Sequence, residues 1–239
     1  MTRFELIAFD ADDTLWHNER LYAWAQAEFQ RLLSHYHSPE WIAERLYETE
    51  MRNLQHFGYG IKAFALSMIE TAVELTEGRI TGKDIQELIG IARSMLTSKV
   101  ELLDHVAESL QQLAQSYRMI VITKGDLLDQ ERKVLESGLS SYFSAVHVVS
   151  NKDEQTYKRI LQQHQVSPER MLMVGNSVRS DILPVLALGG NAVHIPYELT
   201  WAHEEAEIPD DTTIGFYALP NIGGLPELLA RLEQEAARG

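Results

Sequence analysis

The chain has 239 residues, 45% of them hydrophobic and 23% charged, with a formal net charge of -14 and no cysteine. That is enough chain for one large domain or for one domain carrying an insertion. The negative excess disfavours nucleic acid and anionic membrane as partners, no Lys/Arg cluster offsets it locally, and the missing thiols remove disulfides, thiolate metal sites and cysteine nucleophiles.

Residues 4–9 form a short apolar run stopped by Asp10, Asp12 and Asp13, the pattern of a buried parallel strand opening into a polar loop. No run is long enough to span a bilayer, and carboxylates arrive too early for a signal-peptide core, so a cytoplasmic protein is expected. Residues 16–96 carry long helical periodicities, with helix starts at Ser38-Pro39-Glu40 and at Thr81, three residues ahead of Asp84. They read as an all-helical insertion. Alternation then resumes with a helix at 103–115, a strand at 119–123, a helix at 128–137 and a strand at 145–149. A helix at 156–163, a strand at 171–174, a helix at 182–188 and a strand at 192–195 follow. The tail, 212–239, supplies a short strand at 214–217 and a closing helix from Pro226. The expected fold is α/β: a doubly wound parallel, Rossmann-like sheet core (1–15 and 97–239) with an inserted helical cap domain (16–96).

In such sheets ligands bind beyond the carboxyl ends of the strands. Those ends present Asp10, Asp12 and Asp13, then Thr123 and Lys124, then Lys152, then Asn176 and Asp181. Carboxylates crowded in this way repel by roughly 4 kcal/mol for two unit charges 4 Å apart at an effective dielectric near 20. A hard divalent cation with oxygen ligands, Mg2+ above all, and the Lys152 ammonium would compensate. A metal, a lysine, a hydroxyl and glycine-flanked amides suit a phosphoryl group, whose transfer is catalysed mainly by positioning and charge stabilisation.

The string FDADDTL from Phe9 to Leu15 resembles the first motif of the haloacid dehalogenase superfamily, Asp-x-Asp-x-Thr after a hydrophobic strand. VITKG (121–125) is similar to its second motif, Lys152-Asp153 to its third and VGNSVRSD (174–181) to its fourth. With a helical C1-type cap after the first strand, the resemblance spans essentially the whole chain. It implies a magnesium-dependent phosphatase for a small phosphorylated metabolite. Asp10 would attack phosphorus, and Asp12 would protonate the leaving oxygen and then activate water. Thr123, with Lys124 and Gly125, would hold the phosphoryl oxygens. Lys152 would neutralise charge, while Asp10, the Asp12 carbonyl, Asn176 and Asp181 would arrange the metal. Asp12 favours phosphate ester hydrolysis over carbon–halogen cleavage, because the dehalogenases that name the superfamily lack an acid at that place. A 2-haloacid dehalogenase and a non-catalytic phosphate-binding relative are the alternatives.

The chain departs from the family pattern twice. Lys152 precedes Asp153 directly where Lys-Pro-Asp is usual, which leaves Lys158 as the alternative lysine, and Gly175-Asn176 stands where Gly-Asp is usual. In the cap, Tyr59 and Lys62 flank a glycine-rich turn and are candidate substrate contacts. GYGIKA (58–63) matches a dinucleotide fingerprint but lies between helices. Ser177 lacks the closing glycine of a nucleophile elbow, and His203-Glu204-Glu205 lacks the second histidine of a zinc helix.

Overall fold

A computed structural model describes residues 2–204, 206–207 and 214–237. Glu205 and, of the expected tail, residues 212–213 and 238–239 lie outside the described residues. The chain divides into two compact units, a sheet unit (2–19, 100–123 and 132–237) and a helical unit (Arg20–Lys99 and Lys124–Glu131).

Among the described residues the sheet unit carries six strands: β1 (Leu6–Phe9), β2 (Arg118–Lys124), β3 (Ala145–Val149), β4 (Met171–Gly175), β5 (Asn191–His194) and β6 (Phe216–Ala218), in the order β3-β2-β1-β4-β5-β6. β1 pairs in parallel with β2 and with β4, and β5 pairs in parallel with β4 and β6. The chain leaves β1 toward β2 and β3 on one side and later fills the other side with β4 to β6. The switch point therefore falls between β1 and β4, where this class of sheet places its ligands.

The apolar runs are continuous because both faces of the sheet are covered. Ile7, Phe9, Met119, Val121, Leu172, Val174 and Val193 face one core, closed by Val106, Leu110 and Leu113 of α5 (Val106–Leu113) and by Leu225, Leu228, Leu229 and Leu232 of α9 (Leu225–Ala236). The alternate residues Leu6, Ala8, Ile120, Ile122, Met171, Met173 and Ala192 face the other. There they meet Tyr157, Ile160 and Leu161 of α7 (Glu154–His164) and Val185 of α8 (Leu183–Ala187). This is the two-residue side-chain period of a strand. Each aliphatic side chain so buried contributes about 1.5–3 kcal/mol.

Two details differ from the expected elements. The helix expected at 182–188 is preceded by one π-helical turn, Val178–Ile182, and such turns recur at functional sites. The last strand begins at Phe216, after Gly215 has turned the chain at a left-handed φ of 75°; the Gly215 carbonyl accepts the Ala192 N–H at 2.8 Å, the first bond of the β5–β6 ladder.

In the helical unit, α1 (Glu19–Leu33), α2 (Pro39–Phe57), α3 (Ile61–Leu75) and α4 (Gly82–Leu96) enclose their own apolar core around Phe29, Leu46, Phe64, Met68, Leu88 and Met95. Ser38 caps α2 ahead of Pro39, and Thr81 with Asp84 forms a capping box on α4. Between α2 and α3 the GYGIKA segment makes a turn rather than a nucleotide loop. Gly58 ends α2 at a φ of 70°, and Gly60, at a φ of 118°, lies so close to Asp126 that a Cβ would approach its Oδ2 to 2.7 Å. Asp126 belongs to this unit, accepting the Lys62 N–H at 3.1 Å and pairing with Lys62 Nζ at 3.4 Å, while Lys124 Nζ lies 4.0 Å above the Tyr59 ring. These interactions explain why Lys124–Glu131 belongs with the helices. Trp16, by contrast, is buried in the sheet core and bridges to Leu102. No helix of the described residues is long and apolar enough to cross a membrane.

Candidate active site

Asp10 is the first residue past β1, its N–H tied to the Val174 carbonyl at 2.9 Å, so its side chain projects from the switch point of the sheet. One carboxylate oxygen, Oδ1, accepts from the Lys152 ammonium; the other, Oδ2, accepts from the Thr14 hydroxyl at 3.0 Å. Lys152 Nζ also donates to Asp181 Oδ1 at 2.7 Å, and Asp181 Oδ2 accepts the Ser177 N–H at 3.0 Å. The Lys152 and Asp181 side chains are each 1% exposed. Gly175 must stay side-chain-free, because a Cβ there would collide with the Asp181 carboxylate.

Lys152 reaches this position because Asp153 caps α7, accepting the Thr156 N–H at 2.8 Å, and fixes the chain one residue beyond the lysine. Lys158 is exposed.

Burial dominates the electrostatics. It pushes the Asp10 carboxyl up to about 7, opposed by Lys152 and reinforced by the charges of Asp181 and Asp12. Burial pulls the Lys152 ammonium down, and the adjoining Asp10 and Asp181 carboxylates more than reverse it, leaving it above its ordinary value. Lys152 is therefore the fixed positive charge of the site. Tyr157, whose hydroxyl donates to the Ser180 carbonyl at 2.9 Å, is held well above its ordinary value by burial and then by Asp181, Asp10 and Glu204.

Thr123 is buried, 1% exposed, two residues beyond the last β1–β2 pair, Phe9↔Val121. Asn176 follows β4; its Oδ1 accepts from Thr14 Oγ1 at 3.3 Å, and its carbonyl lies 3.0 Å from His194 Nε2. Asp12 points to a second cluster. Its Oδ1 accepts from Trp16 Nε1 at 2.7 Å and from Lys133 Nζ at 3.0 Å, and its Oδ2 lies 3.2 Å from the same ammonium. Asp13, grouped by sequence with these acids, instead takes a left-handed φ of 62° and accepts the N–H groups of Asn18 and Glu19 at the start of α1. Its carboxyl, pushed up to about 8 chiefly by burial, is a capping group. Lys124, Gly125, Tyr59 and Lys62 are gathered in the helical unit, around the turn between α2 and α3.

The amino-acid pattern assigns no role to several residues that the structure brings to these side chains. Thr14 falls inside the first motif and was the detectable one. Trp16, Lys133 and Tyr157 carry no local signal. Ser177 is no nucleophile in this arrangement: its hydroxyl donates to Glu204 Oε2 at 2.6 Å and accepts the Ser180 N–H at 3.0 Å, steadying the π-helical turn.

Among the described residues no three His, Cys, Asp or Glu side chains form a metal-holding group. Oxygen donors do converge, since Asp10 Oδ2 and Asn176 Oδ1 share the Thr14 hydroxyl. A carboxylate, an amide oxygen and neighbouring main-chain carbonyls are hard ligands of the kind Mg2+ takes alongside waters and phosphate oxygens. Asp181 accepts from Lys152 through Oδ1 and from the Ser177 N–H through Oδ2, so it also holds the lysine beside Asp10.

Residues 4–189 match the haloacid dehalogenase-like hydrolases, and the chain belongs to that family of enzymes. A haloacid dehalogenase-like family hydrolase from Xanthomonas campestris is 42% identical over 99% of this chain and 94% of its own, with a TM-score of 0.87. The N-acylneuraminate-9-phosphatase of Mus musculus is 23% identical over 98% of this chain and 96% of its own. The fold is shared as well by a 2-haloacid dehalogenase from Pseudomonas syringae, 21% identical with a TM-score of 0.65 over 96% of this chain and 99% of that one.

Proposed function

We propose that the protein is a Mg2+-dependent phosphomonoester hydrolase that acts on a small phosphorylated metabolite through an aspartyl-phosphate at Asp10. Phosphatases and dehalogenases share this fold, so the fold does not choose between them. The observation that carries the choice is Asp12, a second carboxylate two residues past Asp10 that accepts from Trp16 and Lys133. A departing halide needs no proton, whereas an alkoxide leaving group does. The likeness to an N-acylneuraminate-9-phosphatase over nearly the full chain agrees with that choice.

In the first step an Asp10 oxygen attacks phosphorus, the ester P–O bond breaks, and the leaving oxygen takes a proton from Asp12. In the second step water attacks the same phosphorus, Asp12 takes its proton, and the acyl-phosphate bond breaks to release inorganic phosphate and regenerate Asp10. Lys152 stays charged and neutralises Asp10 and the phosphoryl oxygens, Asp181 holds Lys152 in place, and Thr123 donates to a phosphoryl oxygen. Mg2+, held by Asp10, the Asp12 carbonyl and Asn176, would supply further charge neutralisation for the phosphoryl group.

The test is hydrolysis of a generic aryl phosphate and of a panel of phosphorylated metabolites, with and without Mg2+, by wild type and by Asp10→Asn. Activity that needs Mg2+ and disappears in Asp10→Asn is expected. Full activity in Asp10→Asn would refute the nucleophile, and halide release from 2-haloacids without phosphatase activity would move the protein to the dehalogenases.

A further inference from the structure

Lys133 is a buried cation that the proposed reaction does not require. It lies on α6 (Leu127–Glu136), is 4% exposed, and directs its ammonium at three oxygens: both of Asp12, at 3.0 and 3.2 Å, and Oδ1 of Asn18, at 2.8 Å. A lysine seldom goes inside without a compensating partner. Its position is therefore bound to Asp12.

The geometry points to Lys133 as the positioning residue of the acid–base carboxylate, acting together with the Trp16 indole. The Asp12 side chain has two soft torsions, and three donor contacts from two rigidly held groups select one arrangement of them. Trp16 is fixed by burial in the sheet core, and its Nε1–H reaches Asp12 Oδ1 at 2.7 Å. Asn18 fixes the ammonium from the far side, and its own backbone is fixed by the Asp13 cap. The chain from β1 to α1 thus returns twice, through Trp16 and through Asn18 with Lys133, to the carboxylate two residues past the nucleophile. Lys133 donates to Asp12 and Lys152 to Asp10, so that the two reacting carboxylates are held by different ammonium groups. Proton transfer depends on sub-ångström placement of the donor, so loosening Asp12 slows both steps it serves.

This inference rests on the phosphatase reading, and a double-mutant cycle separates their failures. Steady-state hydrolysis of an alkyl phosphomonoester and of p-nitrophenyl phosphate is compared for wild type, Lys133→Met, Asp12→Asn and the double variant, with thermal unfolding as the check on folding. In the wild-type background Lys133→Met should lower kcat for the alkyl ester by about 10–100-fold, part of the range for general acid–base catalysis, with KM little changed. The aryl ester, whose leaving group needs little help from an acid, should lose less. In the Asp12→Asn background the same substitution should cost less than about twofold, because the group it positions is gone. Lys133→Arg, which keeps the charge, should recover most of the rate. Asn18→Ala, which releases the ammonium without emptying its place, should reproduce a smaller loss with the same dependence on Asp12 if Lys133→Met does not fold. Equal losses in the two backgrounds would overturn the inference while leaving the phosphatase reading intact. An Asp12→Asn enzyme as fast as wild type would overturn the acid–base assignment itself, and this inference with it.

Discussion

Replacement of Lys152 by methionine tests the central charge arrangement independently of any substrate. The Lys152 side chain is 1% exposed, and the two carboxylates it bridges are 9% and 1% exposed, so the substitution leaves Asp10 and Asp181 buried without their shared cation. Breaking a buried pair by removing one partner costs about 3–5 kcal/mol, far more than the pair is worth against an apolar replacement, because the remaining charge is uncompensated. For a chain of this size, at about 2–4 °C per kcal/mol, that corresponds to a fall in Tm of about 6–20 °C. Urea denaturation followed by circular dichroism at neutral pH without divalent cation measures it. Adding Asp181→Asn should restore part of the loss, since the second substitution removes one of the stranded charges, and the two effects should be strongly non-additive. Catalysis should be lost in both variants. A loss of stability below about 1 kcal/mol, the scale of an exposed ion pair, would refute the buried triad.

Asn176→Asp should lower the Mg2+ midpoint by about three- to tenfold by adding a ligand charge, read both from activity and from calorimetric titration; an unchanged midpoint with the fold intact would place Asn176 outside the metal's ligands. Tyr59→Ala and Lys62→Ala should reorder kcat/KM among phosphorylated metabolites while shifting stability by less than about 1 kcal/mol, as the Lys62–Asp126 pair is largely exposed on the lysine side; an identical substrate ranking would count against this turn as the selector. Glu50, on α2, is pushed from 4.5 to about 8 by burial, so the folded state holds its proton more tightly than the unfolded chain does. The stability this provides is complete below about pH 4.5 and is lost as pH rises to about 8. Glu50→Gln should therefore raise Tm relative to wild type above that pH and not at acid pH. Its partial exposure keeps the gain to about 1–2 kcal/mol, below the roughly 5 kcal/mol of the full shift. Parallel pH profiles for the two proteins would show that Glu50 is not the titrating group.

The strands were legible because a parallel sheet covered on both faces demands unbroken apolar runs, and each run ends where a polar loop must begin. Phe9 followed by Asp10 and Val174 followed by Gly175-Asn176 are such ends, and the register places both beside the switch point. The helix starts at Ser38 and Thr81 were legible because capping is local chemistry. What lay beyond local chemistry was missed. The π-helical turn at Val178–Ile182 follows from Ser177 and Ser180 sharing the Glu204 carboxylate, at 2.6 and 2.5 Å, from more than twenty residues away in sequence. The grouping of Lys124–Glu131 with the helical unit depends on Asp126 meeting Gly60 and on Lys124 covering Tyr59, pairings with no periodicity to announce them.

The same distinction explains the neutral residue at position 176. Motif spacing alone treats Asn176 as a lost metal carboxylate, whereas the structure shows how the acids of the other motifs are paired. Asp10 and Asp181 share one ammonium, that of Lys152, and Asp12 has its own in Lys133, so these five groups together carry a single net negative charge when all are ionised. Under the proposed reaction a divalent cation and a phosphoryl dianion would cancel one another on entering, and the site would remain at minus one. An aspartate at 176 would raise that to minus two beside an incoming anion, strengthening the hold on the metal at the expense of the substrate. An amide keeps the oxygen donor, as its contact with Thr14 shows, without the added repulsion. On this reasoning Asn176→Asp should tighten Mg2+ and weaken phosphate together. A variant that tightened both would show that the metal charge dominates the site and that the neutral residue is not a compensation for its other acids.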